Sequence, residues 1–287
     1  MKVLITGENS YIGSHIKNWF TIHKFAEVVT LSVRDDEWKR LDFGVFDSII
    51  HVAAIVHKKE KICWELYKQI NSDLTFEIAK KAKNDGCKHF VFLSSMAVFG
   101  QKKRLKTNCY IDITQEKKPK SNYGKSKLLA EEKLETLIDE NFVVSIVRAP
   151  NVYGKECRGN YISLYKKIMI KSKIVPSAFN NVKQSYLHID NLSEFCRLII
   201  ENKSSGYFHP QDDKALSTME LVTIISNACN VKIYKSKFLG FFVKMLFFVP
   251  IVKKAYGGIR YKEVDSTFSK GNYIVVDIQT GMYESLK

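Results

Sequence analysis

Apolar residues along the chain fall into short continuous runs, separated by longer segments of helical periodicity. The short runs have the length of strands buried on both faces, and they lie at 2–6, 27–33, 47–54, 88–93 and 142–148. The longer segments carry apolar residues three or four positions apart, and they lie at 14–23, 64–86 and 128–140. This alternation predicts an α/β fold, a doubly wound parallel sheet with helices on both faces.

A glycine-containing turn joins the first predicted strand to the first predicted helix. It reads Gly7-Glu8-Asn9-Ser10-Tyr11-Ile12-Gly13. Gly7 permits a tight turn, and Gly13 lets the helix pack closely against the strand. Because a helix N-terminus behind such a turn suits a pyrophosphate, the pattern predicts a dinucleotide site.

Four polar side chains stand further along, two at the end of the fourth predicted strand and two at the start of the helix after it. Ser94-Ser95 ends that strand. Tyr123 and Lys127 stand four residues apart and share one helical face, in a helix that Ser121 or Asn122 can cap. A glycine turn, a strand-end serine and a helical Tyr–Lys pair therefore follow one another in order.

This ordered set resembles the extended short-chain dehydrogenase/reductase family, the NAD-dependent epimerase/dehydratase group. The matching segments lie at 6–13, 47–54, 94–100 and 148–154. Ser10 stands where the family has its middle glycine, and a serine is small enough to keep the backbone approach. The resemblance runs from Lys2 to about Tyr283 and implies a Rossmann sheet with a smaller α/β substrate domain. The later motifs are similar to those of nucleotide-sugar enzymes.

The resemblance implies roles for particular residues. Tyr123 would exchange a proton with a sugar hydroxyl, Lys127 would lower the tyrosine pKa and bind the nicotinamide ribose, and Ser95 would orient the reacting oxygen. Asn71 would make a structural hydrogen bond to nearby backbone. Cofactor contacts are implied for Gly7, Ser10, Tyr11, Ile12, Gly13, Ser32, Arg34, Ala53, Ala54, Ser94, Lys127 and Pro150.

The end of the second predicted strand bears on the choice of cofactor. NAD-preferring relatives carry an acidic residue there, whereas this strand ends Leu31-Ser32-Val33-Arg34. Arg34 and Ser32 suit a 2′-phosphate, so we expect NADPH, with NAD as the alternative. The residues implied to contact a UDP-sugar are His57, Ser95, Met96, Tyr123, Asn151, Asn160, Lys183 and Arg260. Gln184 replaces an arginine common in relatives, and Lys183 or Arg260 would compensate.

Three activities compete within the nucleotide-sugar branch. Family 4,6-dehydratases carry an Asp-Glu pair after the catalytic hydroxyl residue, where this chain has Met96 and Ala97. The resemblance therefore favours a 4-ketoreductase acting on a UDP-4-keto-6-deoxy-N-acetylhexosamine, giving UDP-N-acetylfucosamine or UDP-N-acetylquinovosamine for surface polysaccharide. A UDP-glucose or UDP-N-acetylglucosamine 4-epimerase with tightly bound NAD remains the alternative. A second alternative is a non-catalytic protein that senses dinucleotide.

The resemblance also implies a division of the chain. Residues 1–153 form a dinucleotide-binding domain to which 184–205 return, and 154–183 with 206–287 form the substrate domain. Residues 238–252 are very apolar but too few to span a bilayer. We expect a helix packed in the substrate domain, and weak contact with a membrane surface is the alternative.

Net charge and cysteine content bear on the protein's ligands, metal binding and cellular compartment. The net charge of +15 suits an anionic ligand, and without a nucleic-acid module we expect no nucleic-acid partner. Six scattered cysteines without metal-ligand spacing indicate reduced thiols and no metal site. No charged-then-apolar leader precedes the first strand, so we expect a cytoplasmic protein. The oligomeric state stays open, a homodimer being one option.

Overall fold

The computed structural model describes residues 1–56, 62–105, 107–157, 166–167 and 170–286. The strands in these ranges are β1 Lys2–Thr6, β2 Glu27–Leu31, β3 Ser48–His51, β4 His89–Ser95, β5 Tyr110–Ile111, β6 Val143–Ala149, β7 Asn151–Tyr153, β8 Ile174–Pro176, β9 Lys183–Gln184, β10 Tyr186–His188, β11 Gly206–Phe208, β12 Leu216–Ser217, β13 Tyr234–Ser236 and β14 Arg260–Tyr261. The α-helices are α1 Tyr11–Ile22, α2 Trp64–Lys68, α3 Leu74–Asp85, α4 Asn122–Glu135, α5 Ile189–Glu201, α6 Thr218–Ala228, α7 Lys237–Met245, α8 Pro250–Tyr256 and α9 Ile278–Leu286. A π-helical turn, Gln69–Asp73, joins α2 to α3.

Six parallel strands form the central sheet, in the order β11-β6-β4-β3-β1-β2. Apolar residues of α1 and α5 cover one face, and those of α3 and α4 cover the other. Helices on both faces explain the continuous apolar runs, because each central strand is buried on two sides. The predicted doubly wound α/β fold is confirmed.

Two sheet strands end earlier than the apolar runs suggest. In register, Leu31 of β2 and His51 of β3 both pair with Thr6, the last residue of β1. The chain turns at Gly7, which has a φ of 92°, so β2, an edge strand that pairs only with β1 in the sheet, has no ladder partner beyond that level. The loss of the partner strand ends β2 at Leu31, although apolar residues continue. β3 ends at His51 while its other neighbour, β4, continues to Ser95.

Helix boundaries depend on capping side chains. The Ser10 hydroxyl accepts a hydrogen bond of 3.0 Å from the Gly13 amide, so α1 begins at Tyr11 rather than at the expected Ser14. The Ser121 hydroxyl accepts a hydrogen bond of 3.0 Å from the Gly124 amide and begins α4. That helix ends at Glu135 instead of continuing to residue 140.

The second half of the chain builds a smaller layer beside the sheet. Three two-stranded pairs, β10-β7, β12-β9 and β13-β8, contribute to an apolar cluster drawn mainly from α6, α8 and α9. A fourth pair, β14-β5, packs in a separate cluster with Val98 and Phe99. One sheet strand, β11, comes from the range that the sequence analysis assigns to the substrate domain. The division into two domains stays a prediction.

The apolar segment 238–252 is not the packed helix that we expected. It forms α7 and the start of α8, broken before Pro250, which stands at the first position of α8. Most of its large side chains are exposed, including Phe238, Phe241, Phe248 and Ile251. Among the described residues, no helix is long and apolar enough to cross a membrane.

Candidate active site

A long groove crosses the carboxyl edge of the sheet, above the turn between β1 and α1. Two adjoining clefts of about 1050 and 1080 Å³ make it up, and both are lined by Asn9, Ser10, Val52 and Ala54. Ligands of open parallel sheets bind at this edge, because loops diverge there and helix N-termini face it. The groove is therefore the candidate site.

The glycine turn packs tightly against the chain just after β3, at the centre of the groove. A Cβ on Gly7 would lie 3.1 Å from the Ala53 amide nitrogen, and one on Gly13 would lie 2.7 Å from the Ser10 hydroxyl. Larger residues would disturb both the turn and the cap. An α-helix cannot satisfy its own first amides, so the N–H groups of Tyr11 and Ile12 are left to face an anion. These features fit the pyrophosphate of a dinucleotide.

The residues implied as cofactor contacts mostly line this groove. Gly7, Ser32, Arg34 and Ala53 line the first cleft, Tyr11, Ile12, Ser94, Lys127 and Pro150 line the second, and Ser10 and Ala54 line both. Gly13 is buried beneath the turn, where its amide holds the cap. The structure thus places this set around one continuous surface, and contact with a cofactor stays a prediction.

Tyr123 and Ser95 meet in the second cleft. Ser95 ends β4, Tyr123 lies in the first turn of α4, and their side chains are hydrogen-bonded to each other. Burial raises the pKa of the Tyr123 phenol to about 12, and the bond with Ser95 acts in the opposite direction. The phenol is therefore protonated at neutral pH and can donate a proton.

Lys127 lies one helical turn after Tyr123 and is almost fully buried. Its ammonium donates a hydrogen bond of 2.8 Å to the Leu93 carbonyl and lies 4.4 Å from the centre of the Phe92 ring. Burial lowers the pKa of this ammonium to about 7, while Glu131 acts to raise it. We expected Lys127 to lower the tyrosine pKa, but burial dominates at Tyr123 and the net shift is upward.

Sequence reasoning missed a buried ion pair directly behind the catalytic candidates. Glu131 accepts hydrogen bonds of 3.1 and 2.7 Å from the Arg148 guanidinium and one of 2.5 Å from the Ser94 hydroxyl. Glu131 stands four residues after Lys127, as Lys127 stands four after Tyr123, so all three share one face of α4. That repeated spacing was the available signal, together with an arginine inside an apolar strand.

Asn71 connects the loop after β3 to α4. As expected, it hydrogen-bonds nearby backbone. Its side-chain oxygen accepts from the Ile55 amide at 2.8 Å, and its nitrogen donates to the Ile55 carbonyl at 3.0 Å. The same nitrogen donates to the Ser126 hydroxyl at 3.1 Å. Asn71 thereby couples the loop after β3 to the helix that carries Tyr123.

The far end of the first cleft carries mixed charges. Arg34 is exposed, and its amide lies 3.4 Å from the Ser32 hydroxyl. Lys39 is nearby and forms a 2.9 Å ion pair with Asp36, and Asp35 also lines the cleft. Two cations, a hydroxyl and two carboxylates therefore lie at the end of the cleft where the sequence predicts a 2′-phosphate.

The residues implied as substrate contacts are not all brought together. Ser95 and Tyr123 line the second cleft, Met96 follows Ser95 in a 3₁₀ turn, and Asn151 begins β7. Lys183 forms a 3.2 Å ion pair with Glu220, and Arg260 stacks on the Tyr110 ring at 4.3 Å. Neither Lys183 nor Arg260 lines either cleft. His57 and Asn160 lie outside the described residues.

His51 is a titratable residue near the groove whose ring is held by hydrogen bonds inside the protein. His51 is fully buried, and its ring nitrogens lie 2.7 Å from the Thr6 hydroxyl and 3.0 Å from the Thr75 hydroxyl. Burial lowers the pKa of His51 to about 3, so the ring stays neutral. In the described part of the chain, no cluster of three or more His, Cys, Asp or Glu side chains suits a metal ion.

Comparison with known proteins agrees with this geometry. A UDP-glucose 4-epimerase from Vibrio cholerae is 27% identical over 77% of this chain and 73% of that protein. A UDP-2-acetamido-2,6-beta-L-arabino-hexul-4-ose reductase from Pseudomonas aeruginosa is 26% identical over 77% of this chain and 52% of its own length. The solved UDP-glucuronic acid 4-epimerase of Bacillus cereus, in complex with NAD, superposes with a TM-score of 0.77 at 16% identity, covering 100% of this chain and 95% of that one.

A family profile decides the classification. Residues 3–209 match the NAD dependent epimerase/dehydratase family, which is well over half of the chain. The matched range contains the glycine turn, Ser95, Tyr123 and Lys127, the residues that the groove brings together. The chain is therefore an enzyme of the NAD dependent epimerase/dehydratase family, the extended branch of the short-chain dehydrogenases/reductases.

Proposed function

We propose that this enzyme reduces the C4 ketone of a UDP-4-keto-6-deoxy-N-acetylhexosamine with NADPH, giving UDP-N-acetylfucosamine or UDP-N-acetylquinovosamine. The observation that carries the proposal is the hydrogen bond between Tyr123 and Ser95 inside the groove. A ketone oxygen that accepts hydrogen bonds from both hydroxyls is polarised toward an alkoxide. The phenol, whose pKa burial raises to about 12, holds the proton that this oxygen takes up.

The remaining residues position this pair. Lys127, one turn along α4, would bind the nicotinamide ribose. Glu131 holds the Ser94 hydroxyl and so fixes the end of β4, where Ser95 follows. When bound, the nicotinamide cofactor supplies the hydride, and the protein supplies alignment and the proton.

NADPH is proposed because of the charges at the far end of the groove. Arg34 offers a planar cation for a 2′-phosphate, and Ser32 and Lys39 line the same cleft. An acidic residue at the end of β2 would bind ribose hydroxyls and repel that phosphate, but the positions from 31 to 34 carry none.

A reductase is proposed over a dehydratase because of the residues after Ser95. Met96 and Ala97 stand in the 3₁₀ turn at the groove, where dehydration of the sugar needs an acid and a base. The similarity to the Pseudomonas aeruginosa protein supports the substrate class, since that protein is named as a reductase of UDP-2-acetamido-2,6-beta-L-arabino-hexul-4-ose.

A 4-epimerase of UDP-glucose or UDP-N-acetylglucosamine is the second candidate. The Vibrio cholerae relative, which matches over most of both chains, is named as such an enzyme. The same Tyr–Lys–Ser set serves both reactions, because epimerisation also passes through a C4 ketone. The two differ in cofactor use, since an epimerase keeps its NAD and a reductase consumes NADPH.

One coupled experiment separates the candidates. Purified enzyme is mixed with a 4,6-dehydratase, UDP-N-acetylglucosamine and NADPH, and absorbance is followed at the NADPH band. The reductase consumes NADPH only when the dehydratase is present. Interconversion of UDP-glucose and UDP-galactose, or of their N-acetyl forms, without added cofactor, together with NAD released on denaturation, would establish the epimerase instead. Dinucleotide binding with neither reaction would indicate a sensor.

A further inference from the structure

The segment 232–254 presents an exposed aromatic surface that the groove does not use. Nine large apolar side chains are exposed on α7, α8 and the turn between them: Phe238, Leu239, Phe241, Phe242, Met245, Leu246, Phe247, Phe248 and Ile251. Phe238 and Ile251 are 72% and 71% exposed. An exposed apolar patch of this kind on a folded protein marks a site of contact with another protein, a ligand or a membrane.

Packing against the protein body holds this patch outward. Gly240 is the one buried residue of α7, and a Cβ there would lie 2.0 Å from the Ser177 carbonyl. The Tyr256 hydroxyl at the end of α8 donates a 2.9 Å hydrogen bond to the Pro176 carbonyl. Both helices are thus seated beside β8, α7 by the close approach at Gly240 and α8 by the buried Val252 and Tyr256. The phenylalanines consequently cannot turn inward without moving the backbone.

The charge around the patch is of one sign. Six exposed lysines border or interrupt it: Lys232, Lys235, Lys237, Lys244, Lys253 and Lys254. Between Glu220 and Glu263 the sequence contains no acidic residue. Elsewhere the chain mixes both signs, with 45 basic and 30 acidic residues in total. Aromatic residues ringed by lysines complement a surface that is apolar beneath and anionic on top.

We propose that 232–254 docks the enzyme on an anionic phospholipid bilayer, with the phenylalanines entering the headgroup–acyl boundary and the lysines contacting lipid phosphates. The helices lie in the interface rather than crossing it, since α7 and α8 are 9 and 7 residues long. Tyr234, 56% exposed on the neighbouring strand β13, is of the residue type that favours such interfaces.

A second copy of the chain fits this surface less well. In a two-fold dimer the same patch meets itself, so the lysines of both copies would face one another. The segment has no carboxylate to neutralise them. An anionic bilayer removes that repulsion and buries the same apolar area.

The test is flotation of the full-length enzyme with vesicles. We expect the enzyme to float with phosphatidylglycerol/phosphatidylcholine vesicles and to stay behind with pure phosphatidylcholine. Phe241→Ser combined with Phe248→Ser should lower binding by about tenfold or more, because two anchors lose their apolar area. The matched control, Ile22→Ser with Val264→Ser, replaces two apolar residues that are each 75% exposed and should bind like the parent.

The charge contribution is tested in the same assay. Lys253→Gln with Lys254→Gln should weaken binding several-fold, as should raising the salt from 0.1 to 1 M, whereas Lys17→Gln with Lys80→Gln should not. Circular dichroism and thermal unfolding show that each variant is folded. The proposal is overturned if the parent enzyme does not float with anionic vesicles. It is overturned too if the double phenylalanine variant and its control variant bind the vesicles equally. It is also overturned if the phenylalanine pair instead converts a dimer to a monomer by light scattering.

Discussion

Glu131 and Arg148 form a bidentate ion pair in the protein interior. The guanidinium donates to both carboxylate oxygens at 3.1 and 2.7 Å, and both side chains are almost fully buried. Arg148 also lies 3.9 Å from the centre of the Tyr207 ring. The pair joins α4, which carries Tyr123 and Lys127, to β6 and, through Ser94, to β4. It therefore sets the spacing of the elements that form the site.

Breaking this pair should be strongly destabilising. Arg148→Met leaves the Glu131 carboxylate buried without its partner, and we expect the free energy of unfolding to fall by about 3–5 kcal/mol. Adding Glu131→Leu should restore part of the loss, because no unpaired charge then remains. Urea unfolding of the single and double variants measures the free energy of unfolding. Arg40→Met, at an exposed pair with Glu37, should change it by less than about 1 kcal/mol. A similar loss at both arginines would contradict the role assigned to burial.

Removing the Tyr123 hydroxyl should reduce turnover without reducing dinucleotide binding. Tyr123→Phe deletes the proton donor and its bond to Ser95 but keeps the ring, so we expect kcat to fall by about 10²–10⁴. The coupled NADPH assay gives kcat, and fluorescence titration gives the dissociation constant of the cofactor. Tyr234→Phe, on the exposed strand β13, serves as the control and should leave both quantities unchanged. Full turnover in Tyr123→Phe would exclude the phenol as the proton donor.

Arg34 should discriminate between the two cofactors. Arg34→Ala removes the cation proposed to pair with the 2′-phosphate, so the KM for NADPH should rise by tenfold or more while that for NADH changes little. Initial rates at varied concentrations of each cofactor give the two values. Arg40 lies six residues further along the chain, and Arg40→Ala is the matched control, which should leave both KM values unchanged. An equal rise for NADPH and NADH would show that Arg34 does not recognise the phosphate.

Acid should destabilise the fold through His51. Burial lowers the pKa of His51 to about 3, whereas an unfolded histidine titrates near 6.5. The unfolded chain therefore takes up the proton first, and stability that is present above pH 6.5 is lost as the pH falls toward 3. The slope contributed by one such group is about 1.4 kcal/mol per pH unit. We expect His51→Gln to flatten the decline in urea-derived stability between pH 6.5 and 4.5.

The exposed His23 provides the comparison for that experiment. His23→Gln should leave the pH dependence of the parent in place. Equal slopes in the parent and in His51→Gln would show that other groups cause the acid sensitivity.

Local sequence determined most of the sheet and the parts of the site that lie within single elements. Apolar runs specify strands buried on both faces, and the Gly7 turn and the Ser121 cap act through neighbouring residues. The helical period alone places Tyr123 and Lys127 on one face. These features depend on contacts only a few residues apart, so their patterns are visible in the chain.

The tertiary structure decided what depends on distant partners. The edge strand β2 ends where β1 ends, and the Glu131–Arg148 pair forms across two elements. Burial raises the Tyr123 pKa to about 12, against the direction expected from Lys127. Composition alone suggested that 238–252 packs inside, but Gly240 against Ser177 seats α7 with its phenylalanines outward. The hydrophobicity of a segment shows that burying it is favourable. Only the tertiary structure shows whether the surface that buries it belongs to the same protein.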